Sequence, residues 1–436
     1  MEMKPSLAPQ RIAIIGSGIS GMTAAHLLAR KHEVHLFEAD DRLGGHTATK
    51  DIEVASGRYA IDTGFIVFND WTYPSFIRLM DSLGVKSKAS EMSFSVKNGR
   101  TGLEYNGADF PRLFAQRRNL VRPSFYRMLL EIVRFNREAP LVLDLPTDHP
   151  DVDLTLGAFL DRHGYSSVFA ENYAMAMGAA IWSASFAQMR DFPLRFFIHF
   201  FKNHGMLSVN ERPTWRVIEG GSRSYIAPLV ASVGLERIHL SSPIASVRRI
   251  GGDSPNSVRL EIGGKNPRTE DFDHVIFACH SDTVKKILGD ASPAERDVYA
   301  ALDYQPNSVV LHTDESVLPK TKKTWAAWNF YVPRAERDRV ALTYHMNILQ
   351  RFSSPENFLV SLNIDSAIDP KKILGRWSYD HPKFTVAAVA AQARWAEISR
   401  LDRRTHFAGA YWRFGFHEDG VQSGVRVANA FGEDLV

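Results

Sequence analysis

The sequence predicts an α/β fold in which a Rossmann-like dinucleotide-binding domain, discontinuous along the chain, carries an inserted α+β substrate domain. Three observations lead there. RIAIIGSGISGMTAAHLLARKHEVHLFEAD (11–40) reads as a strand, a GxGxxG turn, a helix and a second strand. FAGAYWRFGFHEDGVQSG (407–424) is another glycine-rich segment near the opposite end, with acids and aromatics that suit ligand contact. Between the two, strand-like and helical patterns alternate with no repeat or low-complexity tract.

Composition sets the bounds. At 436 residues, 44% hydrophobic and 23% charged, the chain can bury a large core and fill two domains. Lys+Arg 52 against Asp+Glu 49 leaves +3, too balanced for a nucleic-acid binder. The single cysteine, Cys279, excludes an internal disulfide framework and a thiolate-rich metal site, and fits a cytoplasmic protein. The opening MEMKPSLAPQ lacks the apolar run of a signal segment, and no stretch reads as a membrane span. No metal site is expected.

Each element of the first unit has a physical task. Gly16 permits the tight turn, Gly18 lets backbone approach a pyrophosphate, and Gly21 lets helix and strand pack closely. Ile19 and Ser20 open the helix, whose free amides and positive dipole end suit phosphate. Glu38 follows Gly21 by 17 residues, the place of an acid that bonds ribose hydroxyls, and Ala39 comes next. DRLGGHTAT (41–49) then adds Arg42, the doublet Gly44-Gly45 and His46, where a second phosphate-facing loop would lie.

These residues resemble the flavin-containing amine oxidase, protoporphyrinogen oxidase and carotenoid desaturase superfamily. The resemblance implies that the GxGxxG, the acid and the R-x-GG run contact FAD. It also implies that Thr63 and Gly64, in YAIDTGFIVFNDWTYP (59–74), lie beside the cofactor, although Asp62-Thr63-Gly64 reads equally as a plain turn.

TYPSFIRLMDSLG (72–84) has helical spacing, and short strands are expected around 91–96 and 103–105. PRLFAQRRNLVRPSFYRMLLEIVRFNRE (111–138) carries seven arginines and two acids among apolar residues at helical intervals. DFPLRFFIHFFKNHG (191–205) packs five phenylalanines around Arg195, His199 and Lys202. Both segments read either as helices with a solvated basic face or as surfaces for peripheral contact with an anionic membrane, on its inner face.

WRVIEGGSRSYIAPLV (215–230) resembles the return of the chain to the cofactor domain. By the same analogy the backbone near Ile244 faces the adenine and Ala278 ends a strand at the cofactor. Cys279 reads as a small apolar residue rather than a nucleophile. The expected division is 8–75, 214–288 and 385–436 for the FAD-binding domain, and 76–213 and 289–384 for the substrate domain.

The C-terminal segment 404–436 reads as a strand, a glycine loop and a closing helix. It resembles the superfamily's last FAD motif, which implies flavin contacts from Gly409, Ala410, Phe416, His417, Glu418 and Asp419. Three departures from amine oxidases stand out: Ala410-Tyr411 after FAG, Leu311 at the usual lysine, and Phe416 at a cage tyrosine. They weaken an amine substrate. With no cysteine in 377–384 or 407–420, FAD is expected to bind noncovalently.

A closer resemblance is to bacterial FAD-binding proteins that share LHTD (Leu311–Asp314), WNF (Trp328–Phe330), His381-Pro382 and GAYWRFGFHEDG (409–420). That group is associated with cyclopropane-fatty-acid-synthase-like methyltransferases and includes or borders the furan fatty acid desaturase. It implies a hydrophobic or lipid substrate and an oxidoreductase that takes a hydride from an allylic carbon, with dioxygen or a quinone as final acceptor. Candidate bases are His381, His312 and His417, each also readable as a core histidine. Trp328, Trp377, Tyr379 and Trp412 are candidate linings of the substrate path. A flavin amine or polyamine oxidase, a nonenzymatic flavoprotein and an NAD-linked dehydrogenase remain as alternatives.

Overall fold

The computed structural model describes residues 8–435 apart from 147, 209–210, 253–254 and 336–337. The opening seven residues, where a signal segment was sought, lie outside the described residues.

The strand Arg11–Ile15 is buried along nearly its whole length, which explains why it is a continuous apolar run rather than an alternating one. It sits at the centre of a five-stranded parallel sheet in the order Ile238–His239, Glu33–Phe37, Arg11–Ile15, His274–Phe277, Thr405–Phe407. Residues from both ends of the chain and from its middle therefore share one sheet, and the carboxyl ends of its strands meet at Gly16, Glu38, Ala278 and Ala408. In open parallel sheets that edge is where ligands bind. The helix Ile19–Leu28 lies on one face and packs against the closing helix His417–Ala430. On the other face an antiparallel sheet, Ile244–Ile250, Ser257–Ile262 and Arg268–Phe272, shares a core with Ala13, Ile15 and Phe37.

A second, seven-stranded sheet has the order Ile373–Pro382, Tyr304–His312, Leu359–Leu362, Leu342–His345, Trp328–Val332, Phe94–Asn98, Glu104–Asn106. It is antiparallel except between Trp328–Val332 and Phe94–Asn98. Its core also takes in Phe125, Phe135, Phe159 and Phe197 from helices of the middle region.

Two expectations about the basic segments separate here. The helix Leu194–Asn203 buries Phe197, Phe200 and Phe201, with Phe192 just before it buried as well, so this segment is core and not an interface-seeking surface. The region 111–138 instead forms a turn, Arg117–Val121, and a helix, Pro123–Glu138, whose outer face stays apolar and exposed. Among the described residues no helix is long and apolar enough to cross a membrane.

Candidate active site

The first glycine loop is built by close approach. Gly16 adopts φ +104°, and a Cβ there would stand 2.9 Å from the Ala278 carbonyl oxygen. A Cβ on Gly21 would stand 2.0 Å from the Gly16 oxygen, so no larger residue fits. Gly18 is different: its φ of −62° suits any residue, and a Cβ would meet nothing within 4 Å. The space over Gly18 is therefore not needed by the protein's own packing. Among the described residues the amides of Gly18 to Gly21 find no acceptor, and no side chain caps the helix. Four free amides, a helix N-terminus and open space over a glycine fit a pyrophosphate.

The second loop is latched to the first. The Gly44 amide donates to the Ser17 carbonyl (3.2 Å) and to its Oγ (3.1 Å), while the Arg42 guanidinium donates to the Gly45 carbonyl at 2.8 Å. Glu38 accepts from the Ser17 amide at 2.9 Å and from the Asp40 amide at 3.0 Å, which holds its carboxylate at the loop with Ala39 exposed beside it.

Behind these loops lies a group of histidines. His46 stands 5.6 Å, ring to ring, from both His280 and His381, and 5.5 Å from Tyr379. His280 stacks on Tyr304 at 4.2 Å, and His381 Nδ1 is 2.8 Å from Ser183 Oγ. All three histidines are enclosed deep in the molecule yet keep accessible surface, as Gly16, Gly18 and Cys279 do. They line an internal recess rather than fill core. Burial, with the neighbouring imidazoles second, holds His46 well below the usual imidazole range; burial pushes His381 down to about 4 and lowers His280. At neutral pH these rings are uncharged. The buried Nε2 of His46 has no hydrogen-bond partner among the described residues, which leaves one polar atom of the recess wall unsatisfied by the protein. The residues present thus fit a flavin dinucleotide, with the glycine loop for its pyrophosphate and the recess for its ring.

The closing segment completes the wall. A Cβ on Gly420 would stand 2.5 Å from Ile19 Cγ2, and one on Gly424 would stand 2.6 Å from the Ser20 oxygen. The closing helix therefore presses directly on the first loop's helix. The Gly409 amide donates to Ser423 Oγ at 3.0 Å, with Ala410 next to it. His417 stacks on Phe65 at 3.5 Å and reaches Tyr225 Oη (3.0 Å) and Thr47 Oγ1 (3.2 Å); burial pushes it down to about 3. Asp419 accepts from the Phe416 amide at 3.0 Å, and burial raises it to about 7. Only this half of a capping box exists, because a phenylalanine ring offers no acceptor. Phe416 stacks on Phe200 at 5.0 Å, part of a wall that also holds Phe196, Phe384 and Phe414.

Several candidates lie elsewhere or do other work. His312 sits at the far end of its strand, eight residues and roughly 26 Å from Tyr304 at the usual rise per residue. It is fully buried, with Nε2 2.8 Å from Ser361 Oγ and Nδ1 accepting from the Asp314 amide at 3.0 Å, and burial pushes it down to about 4. It is a satisfied core histidine and not a base at this site. Leu311 is likewise core; the residue of that strand paired with His381 is Gln305. The Glu418 carboxylate turns away to accept from the Ser75 (3.1 Å) and Phe76 (2.8 Å) amides, capping the helix Pro74–Ser82. Trp412 belongs to the core under the parallel sheet, 6.0 Å from Tyr299, and lines no path with the other aromatics.

Tyr379 is at the recess, its hydroxyl 2.9 Å from Thr63 Oγ1, and Trp377, two residues before it, lies on the same face of the strand. Trp328 lies four strands away across the sheet. Gly64 allows the chain to pass His46, since a Cβ would stand 2.1 Å from the His46 oxygen. Ile244 packs with Phe37 and Ile15 beneath the Glu38 side of the sheet. Burial pushes the Cys279 thiol up to about 12, which leaves it inert. The residues missed from sequence are His280, Tyr304, Ser183 and Tyr225. His280 carried a usable signal, its place just past the carboxyl end of an apolar strand.

The model of the family described as flavin containing amine oxidoreductase matches residues 19–431. Cyclohexylamine oxidase from Brevibacterium oxydans IH-35A superposes with a TM-score of 0.69 over 98% of this chain and 99% of its own, at 16% identity. A CLA-producing fatty acid isomerase from P. acnes gives 0.66 over 95% and 97%, at 15% identity. These likenesses are of fold. An L-amino acid oxidase of Cerastes cerastes is 50% identical over 42 residues, 9% of this chain, and the match spans 8% of that protein's length.

Proposed function

This chain belongs to the flavin containing amine oxidoreductase family, and we propose that it is a FAD-dependent oxidoreductase that desaturates a lipid acyl chain, the flavin chemistry following from the family and the substrate class from the lining of the site. Gly16 to Gly21, Glu38, Arg42, Gly44 and Gly45 would hold the dinucleotide, and His46, His280 and the backbone at 415–419 would hold the ring. Bound there, FAD would supply a two-electron acceptor for a hydride, with dioxygen or a quinone as the final oxidant.

The protein's own part is to orient the chain, keep out water and take a proton. His381 is the base in the tautomer whose Nδ1–H donates to Ser183 Oγ, which leaves Nε2 as the acceptor. One carbon gives up hydrogen with its electron pair, its neighbour gives up a proton to His381, and a carbon–carbon double bond forms between them. Phe196, Phe414 and Phe416, which keep accessible surface above the buried Phe200 and Phe384, supply an apolar wall for the rest of the chain.

One observation carries this reading. The recess is faced by neutral imidazoles and phenols, and among the described residues no carboxylate hydrogen-bonds to His46, His280 or His381. An uncharged substrate loses nothing there, whereas an ammonium group would be desolvated with no carboxylate in hydrogen-bonding contact, since Asp282, Asp380 and Glu38 reach His280 only through space. The fold likeness to a fatty acid isomerase supports the same direction. The family membership and the likeness to cyclohexylamine oxidase favour amine oxidation as the second reading.

Anaerobic mixing of the purified flavoprotein with phospholipids bearing unsaturated or methyl-branched acyl chains, and separately with amines, distinguishes the two. Loss of the oxidised flavin band with lipid alone is expected. Bleaching by amines alone would transfer the assignment to the second reading, and bleaching by neither would leave a flavoprotein without this chemistry.

A further inference from the structure

We propose that the turn Arg117–Val121 and the outer face of the helix Pro123–Glu138 form a docking surface for an anionic lipid bilayer. The observation behind it is a contiguous exposed apolar patch. Phe110 is 70% exposed, Leu120 49%, Val121 82%, Tyr126 42%, Leu130 72% and Val133 64%. They adjoin one another: Phe110 and Tyr126 both pack on Phe114, at 4.7 and 6.0 Å, and the Tyr126 hydroxyl donates to the Leu120 carbonyl at 2.9 Å. Leu130 and Val133 continue from Tyr126 at spacings of four and three, which places all three on one stripe of the helix. The opposite stripe, Phe125, Met128 and Phe135, is fully buried, so the helix is apolar on two sides. A helix of a water-surrounded protein has no reason to be so.

The charge around the patch selects the occupant. Seven arginines lie between 111 and 138 against two glutamates. Both glutamates are engaged with arginines, Glu131 with Arg127 at 3.1 Å and Glu138 with Arg134 at 2.9 Å. Arg117, Arg118 and Arg137 flank the exposed residues from the solvent side. A second copy of this chain would bury the apolar residues, but a two-fold contact would set the arginines against themselves. Nucleic acid would match the arginines and leave Leu130, Val133 and Val121 without a partner. An anionic bilayer meets both demands, with headgroups for the guanidinium groups and the acyl boundary for the aliphatic tips. This surface stands apart from the recess, so the inference does not rest on the proposed reaction.

Flotation of the full-length flavoprotein with vesicles of phosphatidylcholine containing phosphatidylglycerol, and with phosphatidylcholine alone, tests it. Binding is expected on the anionic vesicles only, falling as salt rises. Removing Arg117 and Arg137 together as glutamines is expected to weaken it by about fivefold for each arginine. The pair Leu130→Ser and Val133→Ser is expected to weaken it by roughly tenfold or more. Both variants should keep the flavin spectrum and melting temperature, because the altered side chains are exposed. Wild-type protein that stays unbound, or variants that float like wild type, would overturn the proposal. So would a concentration-dependent dimer, or binding to an RNA oligonucleotide, that the serine pair or the glutamine pair abolishes while vesicles are ignored.

Discussion

Gly18 and Gly21 stand three residues apart and serve different ends. Alanine at position 21 would drive a methyl into the Gly16 carbonyl, whereas alanine at position 18 would meet no protein atom. Gly18→Ala is therefore expected to leave the melting temperature of the flavin-free protein unchanged while weakening FAD by about tenfold, the equivalent of ~1.4 kcal/mol. Equilibrium dialysis against FAD reads this directly, and full affinity in the variant would remove the pyrophosphate from that position. His381 offers a chemical counterpart at the same scale. With the substrate class that bleaches the wild-type flavin, His381→Ala is expected to slow reduction by about 10²–10⁴-fold at unchanged flavin content. Reduction at the wild-type rate would take His381 out of the reaction. Ser183 is left-handed at φ +53° and shows its side chain to His381 and its carbonyl to Gln305. That strained residue thus ties the base to Gln305, its partner on the neighbouring strand.

The closing helix shows what an element can be asked. Its first turn holds two acids that the sequence treats alike and the fold does not: Asp419 caps its own helix, while Glu418 caps the helix Pro74–Ser82. Glu418→Gln is expected to lower stability by about 1–2 kcal/mol through the weakened cap, with no change in the flavin spectrum. A shifted flavin band at unaltered stability would place Glu418 at the ring instead. Gly424→Ala, where the added methyl meets the backbone of Ser20, is expected to cost about 1–3 kcal/mol by overpacking and to reduce bound flavin with it. The close approach at Gly21 was legible in sequence, because the GxGxxG glycines that permit it are local and regularly spaced. Other features were not. The helix Leu194–Asn203 and the helix Pro123–Glu138 both read as basic and aromatic at a helical period, and periodicity cannot say whether such a face meets core or solvent. His312 and His381 lie on neighbouring strands; only their antiparallel register, set by partners far apart in sequence, puts one at the recess and the other at the distant end. Trp412 was misplaced for a related reason, since a short turn at 410–412 rotates it into the core beneath the parallel sheet.

Across the whole molecule the buried histidines dominate the response to acid. His204, His274, His312, His345 and His381 are each pushed down to about 4, and His406 and His417 to about 3, in every case first by burial. Folded, these seven stay neutral where the unfolded chain, with imidazoles near 6.5, binds protons. The unfolded state then holds more protons below pH 6.5, so stability falls as pH drops from 6.5 towards 4. Asp62 and Asp419 act oppositely. Burial raises them to about 6 and about 7, so the folded state holds their protons, and their contribution is lost as pH rises through those values. Seven against two leaves an excess of five, at most ~7 kcal/mol per pH unit at the steepest point, comparable with the ~5–15 kcal/mol that keeps a domain folded. The melting temperature is therefore expected to level off above pH 7 and to collapse within about one unit below pH 6. Calorimetry in buffers of different ionisation enthalpy, with excess FAD throughout, measures both the shift and the protons taken up on unfolding. A melting temperature that is flat or rising from pH 7 to pH 5 would mean that these histidines are charged in the folded protein, and the uncharged recess on which the choice of substrate rests would go with it.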